Sequence, residues 1–332
     1  MDNILVTGGA GFIGSHICRS LIKCKTNRVT SVDSLVGGRN RIAGVPLLVA
    51  DLSNAAEARN VADAVRPNIL VHLAADPREG ASWYRVDSVT RNNLMAFSSI
   101  VEACLRYKLD KVVTFSSMSV YGDQEPPFTE DMPTKPVDPY GVNKEAIEKL
   151  TVMLSKAHGF EWTIIRPHNV IGPGQFVDPM RNVATILANK AVRGEPLTVY
   201  GDGLQTRAFS NIADSIHCYI DAITLPIASG EIINIGGERK TTILEMADVI
   251  RYEVPNLSVV HLPDRFGEVK HAYCNHSKAK RLLGFEERIG WEQAIIDIVR
   301  WVKECGPFEW EPLLISTPTD KTPKHWKTQL YD

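Results

Sequence analysis

Three side chains in this chain of 332 residues could perform proton transfer, namely Ser117, Tyr140 and Lys144. Tyr140 and Lys144 are four positions apart in a segment that opens a predicted helix, so their side chains lie one turn apart on one face. The ammonium group would stabilise the phenolate and lower the tyrosine pKa from its ordinary value near 10, which a general base requires. The alternative for the pair is an ordinary solvated helix face. Ser117 directly follows a predicted strand and could hydrogen-bond the same substrate oxygen.

A glycine-rich segment, Thr7–Gly14 (TGGAGFIG), follows the first predicted strand and opens the first predicted helix. Glycines at such a position allow a tight turn, a close approach of the backbone to a pyrophosphate and close packing of helix on sheet. The helix N-terminus then offers N–H groups and the positive end of its dipole to the phosphates. The segment predicts a dinucleotide site, with a structural turn as the alternative.

Acidic residues at the ends of the next two predicted strands indicate which dinucleotide is bound. Asp33 comes about 20 residues after the glycines, where a carboxylate accepts hydrogen bonds from the adenosine ribose. It would repel a 2′-phosphate, so NAD is predicted rather than NADP. Asp51 and Leu52 could hold the adenine edge, although Asp51 could instead cap the following helix. The small residues at Leu73–Ala75 would leave room for the cofactor at the strand ends.

The elements that must position these residues alternate between strand and helix. Short, continuously apolar runs are typical of strands buried on both faces of a parallel sheet, and the alternation predicts a doubly wound α/β fold with right-handed crossovers. The predicted strands are 4–6, 29–32, 47–49, 69–71, 112–115 and 162–165. The predicted helices between them are 11–21, 55–65, 89–107 and 145–157.

The rhythm changes after Pro167, where glycine-rich turns separate shorter elements. We predict a cofactor-binding Rossmann domain over 1–170 and a smaller α/β substrate domain over 171–305, partly interleaved with the first. Helices are expected near 183–192, 213–223, 243–251 and 293–304. Residues 306–332 form a proline-rich tail, predicted to be extended or partly disordered, to which the sequence assigns no function.

Composition excludes several other classes of protein. Hydrophobic residues make up 44% and charged residues 23% of the chain, and the net charge is −2, so we expect a globular protein without a nucleic-acid partner. No apolar run is long enough to span a membrane, and no secretory leader is recognisable, so a cytoplasmic protein is expected. The six cysteines are expected to be free thiols. The histidines are scattered, so no metal site is expected.

The motifs together resemble those of a known family. TGGAGFIG, Asp33, Asp51–Leu52, LAA at 73–75, Asn93, SSMSVYG at 116–122, YGVNK at 140–144 and RPHNVIGPGQ at 166–175 occur in family order. They resemble the extended short-chain dehydrogenase/reductases, specifically the NAD-dependent nucleotide-sugar epimerase/dehydratase family. The UDP-glucose 4-epimerases are the most similar group. The resemblance covers about residues 3–304.

The resemblance implies a role for each matching residue. Tyr140 would be the general base, Lys144 would bind the nicotinamide ribose and tune Tyr140 together with the cationic nicotinamide ring, and Ser117 would bind the sugar 4-hydroxyl. Arg207, in YGDGLQTR, and Arg265, in RFGE, would bind the nucleotide diphosphate, which arginine does better than lysine. Glu268 would bind the nucleoside ribose, and Asn169 would contact the substrate near its diphosphate. The implied cofactor contacts are Gly8, Gly11, Phe12, Ile13, Gly14, Asp33, Ser34, Asp51, Leu52, Leu73, Ala74, Ala75, Asn93, Tyr140 and Lys144.

The residues after Ser117 bear on the type of reaction. Family dehydratases place Asp-Glu there and the decarboxylases a glutamate, whereas this chain has Met118 and Ser119. The resemblance therefore implies 4-epimerisation of a UDP-sugar through a 4-keto intermediate. A nucleotide-4-keto-sugar reductase, a dehydratase and a non-catalytic NAD-binding regulator are the alternatives.

The sugar itself stays open between glucose, N-acetylglucosamine and glucuronate. Ala272 stands at the family's gatekeeper position, and its small side chain suggests a roomy pocket. Arg78 could pair with a C6 carboxylate, or with Glu79 or solvent. The family also implies a homodimer formed by helices 89–107 and 145–157. The apolar positions that would support it are Leu94, Phe97, Val101, Ile147, Leu150 and Leu154.

Overall fold

The computed structural model describes residues 2–24, 26–237, 239–309, 315–323 and 326. Its strands are β1 (Asp2–Thr7), β2 (Asn27–Asp33), β3 (Leu47–Val49), β4 (Ile69–His72), β5 (Lys111–Phe115), β6 (Glu161–Pro167), β7 (Val170–Ile171), β8 (Leu197–Tyr200), β9 (Thr206–Ala208), β10 (Ser210–Asn211), β11 (Glu231–Ile235), β12 (Lys240–Thr242), β13 (Val259–Leu262) and β14 (His271–Ala272). Its α-helices are α1 (Phe12–Leu21), α2 (Ala55–Val65), α3 (Val86–Thr90), α4 (Ala96–Cys104), α5 (Pro139–His158), α6 (Val183–Val192), α7 (Ile212–Thr224), α8 (Ile243–Glu253), α9 (Ser277–Leu283) and α10 (Trp291–Cys305).

A parallel sheet of seven strands, in the order β11-β6-β5-β4-β1-β2-β3, forms the centre of the molecule. The four residues of β4 and the five of β5 are all buried, which explains the continuous apolar runs Ile69–Val71 and Val112–Val113 within them. The chain moves outward from β1 in one direction and then in the other, which places a crevice at the carboxyl ends of β1 and β4. The predicted Rossmann-type doubly wound fold is confirmed.

Helices cover both faces of this sheet. On one face Ile17 of α1, Tyr219 of α7 and Leu283 of α9 belong to one apolar core. On the other face Phe97 of α4 and Ile147 of α5 pack in a second core, together with α2. Burying both faces removes the strands from water, which is the main driving force for this layered arrangement.

A smaller lobe is built from α6, α8 and α10, whose buried residues include Leu187, Met246 and Ile298. Two short sheets accompany these helices, β13-β8 and β12-β9-β14. However, β11 pairs with β6 in the large sheet, and α7 packs on α1, although both come from the second half of the chain. Pairing of β11 with β6 was not anticipated, because a short apolar run does not specify its neighbouring strand.

The predicted continuous helix over 89–107 is wrong in detail. The structure has α3, then a wider π-helical turn over Arg91–Met95, and then α4. Asn93 lies in the π turn and is completely buried. Turns of this type occur mostly at functional sites, and here the turn directs an amide side chain toward the loop after β4.

The described part of the tail is packed on the molecule. Ile315 and Trp326 are buried against Ala81 and Tyr84, and the Tyr84 hydroxyl donates to the Lys321 carbonyl oxygen at 3.0 Å. The tail therefore covers the 3₁₀ segment Glu79–Tyr84, a role that the sequence did not reveal. The remainder of the predicted extended tail lies outside the described residues.

All six cysteines are free thiols. Among the described residues, no cluster of three or more His, Cys, Asp or Glu side chains could bind a metal ion. Within the same ranges, no helix combines the length and apolar character that a membrane span needs.

Candidate active site

A cavity of about 460 Å³ opens at the carboxyl ends of the central strands. Most of the residues predicted to bind the cofactor or to react with the substrate line it. They are Gly8, Gly11, Phe12, Ile13, Gly14, Asp33, Ser34, Asp51, Leu52, Leu73, Ala74, Ala75, Ser117, Tyr140, Lys144 and Asn169. The fold thus brings together segments that are far apart in sequence.

The glycine-rich turn leaves space for a phosphate because its glycines have no side chains, and a Cβ at two of them would clash with the backbone. Gly8 has a φ of +68°, and a Cβ there would lie 2.8 Å from the backbone nitrogen of Ala74. A Cβ on Gly14 would lie 2.2 Å from the carbonyl oxygen of Gly8. Helix α1 begins at Phe12, so its free N–H groups are directed to the space above the turn. This arrangement fits the diphosphate of a dinucleotide.

Asp33 terminates β2 beside this turn. Its carboxylate accepts hydrogen bonds from the backbone N–H groups of Ala10, at 3.1 Å, and Leu35, at 2.8 Å. Burial raises the pKa of Asp33, and the backbone hydrogen bonds oppose that rise. The carboxylate is thus held in position, with acceptor capacity left for ribose hydroxyls. Its negative charge suits NAD better than NADP.

Asp51 also lines the cavity but does not cap helix α2. The helix cap is Asn54, whose side chain accepts from the N–H of Ala56. The Asp51 carboxylate instead accepts from Ser53 N–H at 2.9 Å. The alternative interpretation of Asp51 as a helix cap is therefore wrong.

Thr7 fixes the segment that follows β4. Its Oγ1 accepts from the N–H groups of Leu73 and Ala74, each at 3.1 Å, and lies 3.0 Å from Nδ1 of His72. Complete burial and the nearby Lys144 lower the pKa of His72 to about 3, so the ring is neutral and Nδ1 can accept the hydroxyl proton. This hydroxyl connects two adjacent strand ends at the point where the cofactor would cross.

Asn93, predicted as a cofactor contact, does not line the cavity. Its Oδ1 accepts from Asp76 N–H at 2.6 Å, and its Nδ2 donates to the Asp76 carbonyl at 3.3 Å. Both groups of the amide are engaged by one residue of the loop after β4. Asn93 therefore positions that loop, as expected of a structural asparagine, and its assignment as a direct cofactor contact stays a prediction.

Helix α5 positions Tyr140 and Lys144. The Asp138 carboxylate caps the helix by accepting from Gly141 N–H at 2.9 Å, and Pro139 occupies the first turn, where its missing N–H has no consequence. The Lys144 Nζ donates to the Phe115 carbonyl oxygen at 2.8 Å. Ser117 follows β5 and caps a short 3₁₀ segment, with its Oγ accepting from Ser119 N–H.

The pKa shifts of Tyr140 and Lys144 differ from the expectation in one respect. In the chain alone, complete burial raises the pKa of Tyr140, and a hydrogen bond with Ser117 opposes the rise. Burial lowers the pKa of Lys144 to about 8, with the Glu148 charge acting in the opposite direction. The expected lowering of the tyrosine pKa by the lysine is therefore not found in the chain alone, because desolvation is the larger effect.

A buried polar network behind Lys144 was missed by the sequence analysis. Glu148 accepts two hydrogen bonds from Arg166, at 2.8 and 2.6 Å, and another from the Ser116 hydroxyl. Arg166 also donates to the Tyr121 hydroxyl at 2.7 Å. Glu148 lies one further turn along α5 from Lys144, so the i, i+4 spacing could have indicated it. The network joins β5, α5 and β6 beneath the catalytic side chains.

Arg207, Arg265 and Glu268 lie together, outside the walls of the 460 Å³ cavity. Arg265 donates to Glu268 at 2.8 Å and stacks on the Tyr200 ring, while Arg207 lies 4.0 Å from the same carboxylate. A Cβ on Gly80, next to the cavity residue Glu79, would lie 3.6 Å from Nη1 of Arg265. Arg265 therefore lies directly beside the segment that begins at Glu79, and Glu268 lies between it and Arg207.

Asn169 and Ala272 have different surroundings. Asn169 lines the cavity, and its Nδ2 donates to the Ala208 carbonyl at 3.2 Å. Ala272 pairs with Arg207 across two strands and is only 2% exposed, in an apolar cluster that includes Met118. The cavity wall here is Met118. Ala272 thus lies beside Arg207 and behind Met118, outside the wall of this cavity, and its assignment as a gatekeeper for the sugar stays a prediction.

Arg78 belongs to a group of charges from three segments. It donates to Asp178 at 2.6 Å and to Asp76 at 2.8 Å. Arg85 contacts Asp76 as well, at 2.8 Å, and Arg181 approaches Asp178 at 3.4 Å. Pairing of Arg78 with Glu79 or with solvent is therefore wrong, because two aspartates hold its guanidinium. No sequence signal indicated Asp178, which is 100 positions away from Arg78.

Comparisons with known proteins agree with this geometry. The model of the NAD dependent epimerase/dehydratase family matches residues 4–236. An uncharacterized UDP-glucose epimerase, YtcB of Bacillus subtilis, is 32% identical over 302 residues, which is 85% of this chain and 92% of that protein. A UDP-N-acetyl-alpha-D-glucosaminuronate decarboxylase of Bacillus cytotoxicus is 31% identical over 321 residues, covering 90% of this chain and 97% of that protein.

A solved structure is also similar over nearly its full length. UDP-glucuronic acid 4-epimerase from Bacillus cereus, in complex with UDP-glucuronic acid and NAD, superimposes with a TM-score of 0.83 at 30% identity. The match covers 91% of this chain and 99% of that chain. These relatives catalyse more than one reaction on nucleotide sugars, so the comparisons define the family and its use of NAD.

Proposed function

The chain belongs to the NAD-dependent epimerase/dehydratase family, and we propose that it interconverts the C4 epimers of a UDP-linked sugar through a 4-keto intermediate. The observation that carries the proposal is the site around Ser117. Ser117, Tyr140 and Lys144 share the wall of the NAD cavity, and the side chain that follows Ser117 into this cavity is the thioether of Met118.

The residues divide the proton transfer between them. Tyr140 removes the proton from the 4-hydroxyl, and Ser117 hydrogen-bonds the same oxygen and holds the sugar in position. NAD, held by the glycine-rich turn and Asp33, would supply the reversible acceptor for the C4 hydride, so that the hydride returns to the opposite face of the ketone and Tyr140 returns the proton to the oxygen. Lys144 has one N–H engaged by Phe115 and two left for the nicotinamide ribose. The positive charge of the oxidised cofactor beside Tyr140 would offset the burial that raises its pKa.

Water elimination requires an acid and a base beside C5 and C6, and decarboxylation requires help for the departing carboxylate. At the positions that follow Ser117, this chain offers Met118, whose sulfur accepts weakly from Asn169 at 3.5 Å, and the hydroxyl of Ser119. Neither group transfers a proton as a carboxyl does at neutral pH. This supports epimerisation among the reactions of the family.

The diphosphate of the substrate would bind to Arg207 and Arg265. Burial lowers the pKa of Arg207, an effect that the charges of Glu79 and Glu268 oppose, and Glu268 lies near both guanidiniums. Two neighbouring guanidiniums offer the bidentate hydrogen bonds that suit the oxygens of a diphosphate. In this arrangement Glu268 orients Arg265 and has acceptor capacity left for the nucleoside ribose.

The test is incubation of the purified protein with UDP-glucose, UDP-N-acetylglucosamine and UDP-glucuronate, without added cofactor, followed by NMR of the products. We expect the 4-epimer of at least one of these sugars, and NAD released on denaturation of the protein. A 4-keto-6-deoxy sugar, a pentose, or turnover only with added NADPH would contradict the proposal and indicate a dehydratase, a decarboxylase or a reductase.

We also propose a homodimer in which α4 and α5 meet their copies. The prediction from apolar positions needs correction, because Phe97, Val101 and Ile147 are buried in the chain's own core. The exposed apolar side chains on or beside these helices are Val86, Met95, Val142 and Met153. Light scattering at micromolar concentration tests this, and a monomer would contradict it.

A further inference from the structure

Glu79 occupies an unusual place in the site. It is the first residue of the 3₁₀ segment Glu79–Tyr84 and lines the cavity together with Ser117 and Tyr140. Its neighbour Gly80 lies against Arg265. If the proposed function is right, the sugar is attached to a diphosphate at Arg265 and presents its 4-hydroxyl to Tyr140. Glu79 lies between these two ends, where the sugar ring must be.

The Glu79 carboxylate is also unpaired within the chain. Across the residues that the structure describes, the carboxylate takes part in no hydrogen bond or ion pair, and the side-chain bond at Glu79 goes to its backbone carbonyl, from the Ser82 hydroxyl at 2.6 Å. Three guanidiniums of the cavity wall are held by other carboxylates, since Arg78 and Arg181 contact Asp178, and Arg78 and Arg85 contact Asp76. Glu79 acts on Arg207 and Arg265 through its charge. An anion on this wall therefore keeps its acceptor capacity for a ligand.

The charge of Glu79 acts on both ends of the site. The charge of Glu79 raises the pKa of Tyr140, and only burial and the hydrogen bond with Ser117 affect that pKa more strongly. It also opposes the effect of burial on the pKa of Arg207. Burial first and Glu79 second raise the pKa of Asp138, at the start of α5, to about 7. These influences agree with the place of Glu79 on the cavity wall between Tyr140 and Arg265.

The position of Glu79 argues against a second anion in this place. Arg78, Arg85 and Arg181 are engaged by Asp76 and Asp178, whereas the charge of Glu79 acts on Arg207 and Arg265. A sugar carboxylate between Tyr140 and Arg265 would meet Glu79 at close range, where like charges repel strongly in a partly desolvated site. Sugar hydroxyls, by contrast, are the donors that a carboxylate accepts best.

We propose that Glu79 is a specificity-determining residue that accepts hydrogen bonds from the hydroxyls of a neutral sugar and excludes UDP-uronates. This rests on the proposed function, whose site it refines. Glu79→Gln keeps the shape and removes the charge, so it separates repulsion from packing. Glu79→Asp keeps the charge on a shorter side chain. Glu102→Gln, on the exposed face of α4 and outside the cavity, is the matched control.

The experiment measures equilibrium binding of UDP-glucose and UDP-glucuronate to the NAD-loaded protein by calorimetry, and epimer formation from both by NMR. We expect the unchanged protein and Glu102→Gln to prefer UDP-glucose. Glu79→Gln should reduce this preference at least about tenfold, a difference of about 1.4 kcal/mol, with NAD content unchanged. Glu79→Asp should retain it.

The experiment distinguishes failure of the proposed role of Glu79 from failure of the proposed function. Equal or stronger binding of UDP-glucuronate by the unchanged protein, or an unchanged preference in Glu79→Gln, overturns the role of Glu79 and leaves the proposed function standing. Failure of the unchanged protein to bind either UDP-sugar overturns the proposed function itself, and the role of Glu79 with it.

Discussion

The cofactor side and the proposed substrate side of this site present different groups to anionic ligands. On the cofactor side the glycine-rich turn and the first turn of α1 offer backbone N–H groups, and the Cβ positions of Gly8 and Gly14 are blocked by backbone atoms. On the substrate side the guanidiniums of Arg207 and Arg265 approach one another from separate strands and loops, with Glu268 near both.

This difference determines which substitutions each side of the site tolerates. A backbone cradle depends on dihedral angles and close packing, so it tolerates few substitutions and accepts one kind of ligand. A side-chain site depends on which charges the loops bring together, so single substitutions can change its ligand without disturbing the fold. We therefore expect substitutions on the two sides to have separable effects on NAD binding and on sugar binding.

The largest effect is expected at Tyr140, where the two sides meet. Tyr140→Phe keeps the ring and removes the proposed base, so turnover should fall by about 10²–10⁴-fold while NAD content and UDP-sugar binding persist. Ser117→Ala should reduce turnover less, and Lys144→Ala should weaken NAD binding as well. Turnover is measured by NMR. If Tyr140→Phe turns over nearly as fast as the unchanged protein, the proposed mechanism is wrong.

Substitution of the proposed diphosphate ligands should affect the substrate side alone. Arg265→Lys and Arg207→Lys keep the charge but lose the planar fork, and a hydrogen bond to a charged group is worth about 1.5–3 kcal/mol. KM for the UDP-sugar should rise by at least about tenfold, with NAD content unchanged. Arg251→Lys, an exposed residue of α8, serves as the control. Loss of NAD from either variant would break the separation of the two sides.

Substitution in the cradle should affect the cofactor side first. The new methyl group of Gly14→Ala would lie 2.2 Å from the Gly8 oxygen, and overpacking of this kind costs about 1–3 kcal/mol of unfolding free energy. NAD should be absent from the purified variant. Gly44→Ala, where φ is +81° and no atom lies within 4 Å, should cost about 1–2 kcal/mol and retain NAD. Retention of NAD by Gly14→Ala would contradict the cradle.

The smallest effect concerns the pH dependence of stability at the start of α5. Burial and Glu79 raise the pKa of Asp138 to about 7, above the value of about 3.9 in unfolded chains. The native state therefore binds more protons than the unfolded state between these values, so the contribution of Asp138 to stability falls as pH rises from about 4 to 7. Asp138→Asn keeps an acceptor for Gly141 N–H and removes the titration.

Urea unfolding at pH 5 and pH 7 measures this effect. The free energy of unfolding of Asp138→Asn should increase relative to that of the unchanged protein as the pH rises. Two parallel pH profiles would mean that Asp138 titrates normally. The same pair of variants in a Glu79→Gln background should show a smaller difference, because one of the two causes has been removed.

Contiguous segments could be predicted from the sequence, since their behaviour depends on local geometry. Short-range rules are enough to predict three of these features. They are the glycines between a strand and a helix, the helix face with Tyr140 and Lys144, and the acid at the end of β2. The parallel sheet followed from the same reasoning, because its strands are apolar on both faces. These features sufficed for the Rossmann-type fold, for NAD and for most of the cavity wall.

Only the tertiary structure decided which distant side chains meet. It directed Asn93 to the Asp76 backbone through a π turn, paired Arg78 with Asp178, inserted β11 beside β6 and covered the Glu79 segment with the tail. It also placed Ala272 in an apolar cluster with Met118. Such contacts depend on loop paths and on the balance between burial and charge pairing. Residue types along the chain do not encode that balance locally, and it is this balance that leaves the Glu79 carboxylate on the cavity wall without an ion pair among the described residues.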